Sequence, residues 1–462
     1  MNSANIETGT ATAPIMPALT RTVPAPPVRI VHLGLGAFSR SHLAWYTSLA
    51  DDAQEWGIAA YTGRSTALVE SLTAQDGLYT LVERSPSGDR VEVVSSIARA
   101  HSGQDVERLL SDLQLPDLAI VSLTITEAAY ACTAQGVLDT MNPSVVDDMN
   151  LLGSANTHGE AAMRLQTVVA RLVWGLNARR HLGLSGLALM SCDNIPDNGA
   201  MLRNVVLGMA TAIPGLSEWC IDNVRFVPTS VDRITPRVSD EELGTLARSL
   251  GDFAPVVAEP FSDWVIEGEF PAGRPAWETA GARFTDDLGP WEARKLWTLN
   301  GAHTILAAIG RHVGHATVHQ AASDLRCWNL VSAFWDEVAA NLPDFVESCA
   351  YQEAVKDRFL NDRIEHSLEQ IGINSTLKVS LRIAPVAERE RRAGRSARAC
   401  AAAIAAWMLA EGQEDARAGV AAVSTELAED DEFIGTVANA RKQLLGASSL
   451  PPEKLTSSLD SL

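Results

Sequence analysis

No two cysteines in this chain are spaced as C-x-x-C. The six present (Cys132, Cys192, Cys220, Cys327, Cys349 and Cys400) are scattered, which leaves no disulfide framework to read and fits free thiols in a reducing compartment. Basic residues are also in deficit, with 37 Lys and Arg against 57 Asp and Glu and a net charge of −20. Nucleic acid needs a basic surface, so it is not expected as a main partner. An anionic substrate would have to be drawn in by a local basic pocket. No run of ~20 apolar residues is present to span a bilayer, and no charged-then-apolar leader opens the sequence. The expectation is a cytoplasmic protein with no membrane partner. A P-loop, a G-x-S-x-G elbow and internal repeats are likewise missing.

What is present is an ordinary globular composition, 46% apolar and 20% charged over 462 residues, enough for two or three domains. Residues 1–27 are rich in Thr, Ala and Pro and end in Pro24-Ala25-Pro26-Pro27, which reads as a flexible or surface-draped lead-in. Residues 448–462 read as a tail. The alanine-rich stretch Ala399 to Ala410 predicts closely packed helices.

Val28 to Leu33 reads as a strand and runs into Gly34-Leu35-Gly36-Ala37-Phe38-Ser39, followed by a helical pattern through Trp45. Strand, glycine turn and helix open a dinucleotide-binding unit: Gly34 allows the tight turn, and Gly36 lets a pyrophosphate approach the helix N-terminus. Ser39 replaces the third glycine. Ala37 and Phe38 would lie beside the phosphates, while Arg40 reads equally as a phosphate contact or a solvated side chain. A second strand, Gly57 to Tyr61, ends in Thr62-Gly63-Arg64-Ser65, with no acid to grip the ribose. Arg64 and Ser65 would suit a 2′-phosphate, so NADP stays open behind NAD as first choice. Two more buried strands, Leu118 to Thr124 and Leu187 to Met190, precede Thr126-Glu127 and Ser191-Cys192-Asp193-Asn194. Polar residues just past parallel strands sit where such sheets bind ligands, which makes Thr124, Glu127 and Asn194 candidates, although Asp-Asn is also good turn chemistry.

Phe226 to Ile234 reads as one strand that becomes polar, with Asp232 and Arg233 free to pair with each other. Lys378 and Arg382, spaced i,i+4, could hold a substrate oxygen or carboxylate, or be exposed. His312, His315 and His319 lie at i, i+3 and i+7, but no nearby carboxylate or cysteine completes a metal set. No metal site is expected.

The run Lys295-Leu296-Trp297-Thr298-Leu299-Asn300-Gly301-Ala302-His303 places an amine, an amide and an imidazole on one predicted helix that starts sharply at Gly289-Pro290. With Lys295 as origin and about 100° per residue, Glu292 falls near ~60°, His303 near ~80° and Asn300 near ~140°. All four share one side. Glu292 and Lys295 at i,i+3 also read as a surface pair.

The Lys-x4-Asn-Gly-x-His pattern closely resembles the signature of the polyol-specific long-chain dehydrogenases, the family of mannitol 2-dehydrogenase and fructuronate reductase. The similarity continues through His32 to His42, Gln75-Asp76-Gly77-Leu78-Tyr79-Thr80, Val121 to Glu127, Ser191 to Asn194, Val231 to Pro236 and Arg358 to Arg382. It implies an α/β chain with a Rossmann-type N-terminal domain (28–285) and a mostly α-helical C-terminal domain (286–447), with the site in the cleft between them. It also implies metal-independent oxidation of a secondary alcohol. By motif match Lys295 would be the general base, Asn194 and Asn300 an amide clamp on the reacting oxygen, and His303 the group that orients a substrate hydroxyl. Glu292 would lie on a proton exit path and Asp232 would line the pocket. A free lysine has pKa ~10.4; burial and the positive nicotinamide ring should lower it toward a useful value.

Three stretches depart from the family pattern. Ser39 stands where relatives usually have His, Thr62 to Ser65 differs, and the family's Asp-Gly-Ser and later Pro are replaced within Asn374 to Arg382, although Lys378 and Arg382 survive. The resemblance implies an NAD(P)-dependent enzyme that interconverts a sugar alcohol and its 2-ketose, mannitol and fructose first, with mannonate and fructuronate just behind. Mannitol 1-phosphate ranks lower for want of a further Arg cluster. A non-catalytic dinucleotide sensor and a zinc-dependent polyol dehydrogenase are the rivals from other classes. The oligomeric state is not legible; some relatives act as monomers.

Overall fold

Apolar runs that end in polar turns become the strands of one parallel sheet. They are Val28–Leu33 (β1), Gly57–Thr62 (β2), Ile97–Ser102 (β3), Ile120–Leu123 (β4), Leu187–Ser191 (β5) and Val224–Val227 (β6). They lie in the order β3-β2-β1-β4-β5-β6, each parallel to its neighbour. Both faces are buried. Val31, Leu33, Val121, Leu123 and Leu189 enter one core, and Ile30, Ile58, Ala60, Ile120 and Met190 the other. Two-sided burial explains why these strands read as continuous apolar runs rather than alternating ones. Strand order reverses between β1 and β4, and at such a switch point the sheet leaves a crevice beyond the carboxyl ends of its strands.

The computed structural model describes residues 18–63, 65–154, 159–364 and 366–447. Contacts divide the chain into two compact units: the first runs to Glu83 and again from Asp89 to Asp286, and the second takes in Arg84–Gly88 and continues from Asp287. The lead-in is tied down where it is described. Arg21 donates from Nη2 to Ser95 O and Ile97 O, both at 2.7 Å, and Pro27 O accepts from Gly57 N at 2.7 Å. Of the two forms expected for the lead-in, residues 18–27 take the surface-draped one, anchored at Arg21 and Pro27.

The polar strand expected over Phe226 to Ile234 is two strands. Val224–Val227 completes the large sheet, and Thr229–Asp232 pairs antiparallel with Asp263–Glu267 in a separate three-stranded sheet. Pro228, between them, cannot donate to a ladder, and the chain changes sheets there. The Gln75 to Thr80 stretch proves structural. The carboxylate of Asp252, fully buried, accepts Gln75 Nε2 and Thr80 N at 2.6 Å each and Ala254 N at 2.7 Å.

The second unit is helical. The alanine-rich helix Arg398–Ala410 is buried from Ala399 to Met408, and its small side chains let Ala302–His312 and Asp431–Ala447 pack closely against it. Among the described residues no helix is long and apolar enough to cross a membrane.

Candidate active site

The helix read as continuous from Gly289 through His303 is three segments. An α-helix over Gly289–Arg294, with proline in its first turn, gives way to a π-helical stretch over Lys295–Gly301, and α-helix resumes at Ala302–His312. This changes the geometry expected from a uniform α-helix. Bonding from i to i+5 widens the turn, so Asn300 comes closer to Lys295 around the axis than the ~140° of a uniform α-helix. Lys295, Asn300, His303 and Glu292 are all partly buried, which argues against a solvated polar face. The glycine of the signature has a packing reason: a Cβ on Gly301 would lie 2.8 Å from Phe334 Cε1. The His303 ring packs against Phe359 at 4.6 Å and His366 at 5.8 Å between centroids. Sequence reasoning missed His366, although it lies inside the Arg358 to Arg382 segment.

Lys378 and Arg382 find backbone partners. Lys378 Nζ donates to Ile371 O at 2.8 Å. Arg382 Nη1 donates to Asn300 O at 3.3 Å and to Thr304 Oγ1 at 3.1 Å. Burial lowers both pKa values, that of Arg382 to about 10.

In the first unit the glycine turn sits at the switch point. Gly34 has φ +108°, and a Cβ there would fall 1.9 Å from Thr124 O, so both the turn and the adjoining end of β4 require glycine. Gly36 differs: a Cβ would meet only Gly34 O, at 3.8 Å. The protein itself does not need that glycine, and the open space suits the close approach of a pyrophosphate to the start of the helix Ala37–Ser41. Ser39 Oγ accepts from Gly36 N at 3.0 Å, so the residue in place of the third glycine caps the turn. Phe38 stacks on His42 at 5.1 Å. Arg40 points elsewhere. Only 7% exposed, it donates to Gly36 O at 3.2 Å and to Ala254 O, which removes it from the expected phosphate contacts. Arg64 lies outside the described residues.

Thr124 and Glu127 follow β4 and Asn194 follows β5, at the same carboxyl edge. Asp193 joins the two loops. Its carboxylate accepts Ile125 N at 2.7 Å, Ser191 Oγ at 2.9 Å and the Tyr130 hydroxyl. The turn chemistry anticipated for Asp-Asn therefore belongs to Asp193, while the Asn194 side chain stands exposed at the loop. Burial pushes the Asp193 carboxyl up to about 6, against the opposing pull of its three donors. A folded-state pKa above the unfolded ~3.9 favours the protonated form. That contribution to stability is full below about pH 4 and is lost as pH rises through about 6, on the order of 3 kcal/mol in all. Asp193→Asn, which keeps the shape and can still accept from Ile125 N, should gain stability relative to the parent between pH 4 and pH 7. Urea denaturation across that range measures it; a stability difference independent of pH would refute the assignment.

Asp232 and Arg233 do not pair with each other. Arg233, fully buried, bonds Glu83 Oε1 at 2.6 Å, and its guanidinium lies over the Trp45 ring. Asp232, 5% exposed, stands opposite Asp263 across the antiparallel pair. The histidine run does not form one face. His319 Nδ1 meets Leu360 O, while His315 Nε2 lies 2.8 Å from Asp324 Oδ2, with Cys327 beside them. A carboxylate and a cysteine thus do gather at His315, contrary to the sequence reading. Arg326 grips the same carboxylate and holds it far below the usual carboxylate range, so a metal ion would have to displace a guanidinium. The Cys192 thiol is buried and its pKa driven up by burial, unsuited to a nucleophile.

The family description "Mannitol dehydrogenase Rossmann domain" matches residues 28–279 and "Mannitol dehydrogenase C-terminal domain" residues 287–445. The chain is 33% identical to D-mannonate oxidoreductase of Escherichia coli K12 over 449 residues, covering 94% of this chain and 90% of that protein. Among solved structures it resembles a substrate-free D-sorbitol dehydrogenase, with TM-score 0.82, 28% identity and coverage of 96% and 99% of the two chains. It also resembles Pseudomonas fluorescens mannitol 2-dehydrogenase in its complex with NAD and D-mannitol, with TM-score 0.75, 29% identity and 97% of each chain covered.

Proposed function

The chain belongs to the mannitol dehydrogenase family, and on that premise we propose that it interconverts a sugar alcohol of the mannitol type and its 2-ketose, with NAD and without a metal ion. The observation that carries this reading is the π-helical turn over Lys295–Gly301, on which the Lys295 amine and the Asn300 amide both lie, partly buried. Lys295 takes the proton of the reacting hydroxyl. Asn300 and Asn194 donate to the oxygen as negative charge develops there, an effect typically worth ~3 kcal/mol per donor. His303, steadied by Phe359, orients a neighbouring hydroxyl; Glu292 carries the proton outward and Asp232 lines the pocket. An ammonium has three donors, so Lys378 can hold a substrate oxygen while bonded to Ile371 O. Gly34, Gly36, Ala37, Phe38, Thr124 and Glu127 hold the dinucleotide, which when bound supplies the hydride acceptor.

A second reading, oxidation of an aldonate to its 2-ketouronate, is favoured by the similarity to D-mannonate oxidoreductase along 94% of the chain. A panel of mannitol, sorbitol and mannonate, each assayed with NAD and with NADP, decides between them. Mannitol with NAD is expected to give the highest kcat/KM. Preference for mannonate would move the assignment to the aldonate, and no reduction of either cofactor by any member would end both readings.

A further inference from the structure

Three groups from outside the stretch support the π-helical turn. Trp335 Nε1 donates to Thr298 O at 3.0 Å, Phe334 packs where Gly301 has no side chain, and Arg382 reaches Asn300 O. Asn300 O accepts from two side chains, Thr304 Oγ1 at 3.0 Å and Arg382 Nη1 at 3.3 Å, and the same Nη1 is 3.1 Å from Thr304 Oγ1. The three atoms close a small ring. Thr304 is 5% exposed, and the guanidinium remains charged near neutrality, which makes its bond to a carbonyl stronger than a neutral one. π-Helical bonding is rare and needs a local cause. Tightened to an ordinary α-helix, the segment would carry Asn300 some ~140° around the axis from Lys295.

We propose that Arg382 is a positioning residue: with Thr304 it fixes the Asn300 carbonyl, and through it the wide turn that brings Asn300 round toward Lys295. The inference rests on the reading that this pair handles the alcohol. It gives Arg382 a different task from gripping a substrate oxygen or carboxylate. A ligand of the substrate would show itself in KM and would favour carboxylate-bearing substrates; a positioning residue shows itself in kcat, for every substrate alike.

The test compares the parent enzyme with Arg382→Met and Arg382→Lys in two ways. In steady-state kinetics with the best polyol and with mannonate, Arg382→Met should lower kcat about 100-fold while KM moves by less than about threefold. Arg382→Lys, or free guanidinium added to Arg382→Met, should recover part of the loss. In crystal structures of the same proteins, the parent should keep its i→i+5 bonds over 295–301 and Arg382→Met should revert toward i→i+4. A raised KM with unchanged kcat would overturn the proposal in favour of substrate binding, and an unaltered π-turn in Arg382→Met would overturn it outright. If the parent oxidised none of the alcohols, the functional reading would fail, while the crystallographic comparison would still decide whether Arg382 holds the turn.

Discussion

Lys295→Ala is expected to lower kcat by roughly 10²- to 10⁴-fold, the usual contribution of a positioned general base, with the fold intact. Alanine is the best helix former, and the turn around it is supported from outside, by Trp335 on Thr298 O and by Thr304 and Arg382 on Asn300 O. The pH profile carries the sharper signature. A lysine base works only when deprotonated, so the parent's oxidation rate should fall as pH drops through the amine's pKa in the enzyme. In Lys295→Ala that acid limb should vanish, and added primary amine should restore part of the rate. Full turnover by Lys295→Ala near neutral and mildly alkaline pH would sink the proposed mechanism, leaving the dinucleotide site as that of a protein with another task.

The second large effect is expected at the two amides. Asn300→Ala and Asn194→Ala should each lower kcat by about 10²- to 10³-fold with a smaller change in KM, because a donor to developing negative charge acts mainly in the transition state. Asn300→Asp should be at least as damaging, since a carboxylate repels an alkoxide. The backbone carbonyl of Asn300 keeps its bonds to Thr304 and Arg382 in any of these variants, so the turn should survive. Two donors on one oxygen are coupled, and the double variant should lose clearly less than the product of the two single losses. Simple multiplication of the losses would mean that the amides do not share an oxygen.

Much of the first unit was legible. The strand over Val28 to Leu33 and the turn at Gly34 follow from an apolar run broken by glycine, and β1 occupies the expected residues. The placement of Asn194 past β5 follows from the same pattern. The signature over Lys295 to His303 implied one uniform α-helix where the chain has a π-helical stretch, since a sequence carries no plain mark for a change from i→i+4 to i→i+5 bonding. The groups that contact it from outside, Trp335, Phe334 and Arg382, belong to other helices.

The long basic side chains were the least legible. Arg382 finds its carbonyl 82 residues away, Arg233 its carboxylate 150 residues away, and Arg40 a carbonyl 214 residues away. By spacing alone each of them read as a ligand contact, a local pair or a surface charge.

The sequence by itself determined the fold class, the glycine turn at the switch point and the identity of the amine, amides and imidazole proposed for the chemistry. These are written locally, in the period of apolar residues, the conformational demands of glycine, and residue types that only certain reactions need. Only the tertiary structure decided that the central turn is π-helical, that Asp193 ties together the loops past β4 and β5, and that Arg40, Arg233 and Arg382 serve the protein's own backbone and carboxylates. A buried charge must be met by an acceptor wherever the fold happens to leave one, and that partner exists only once distant segments have come together.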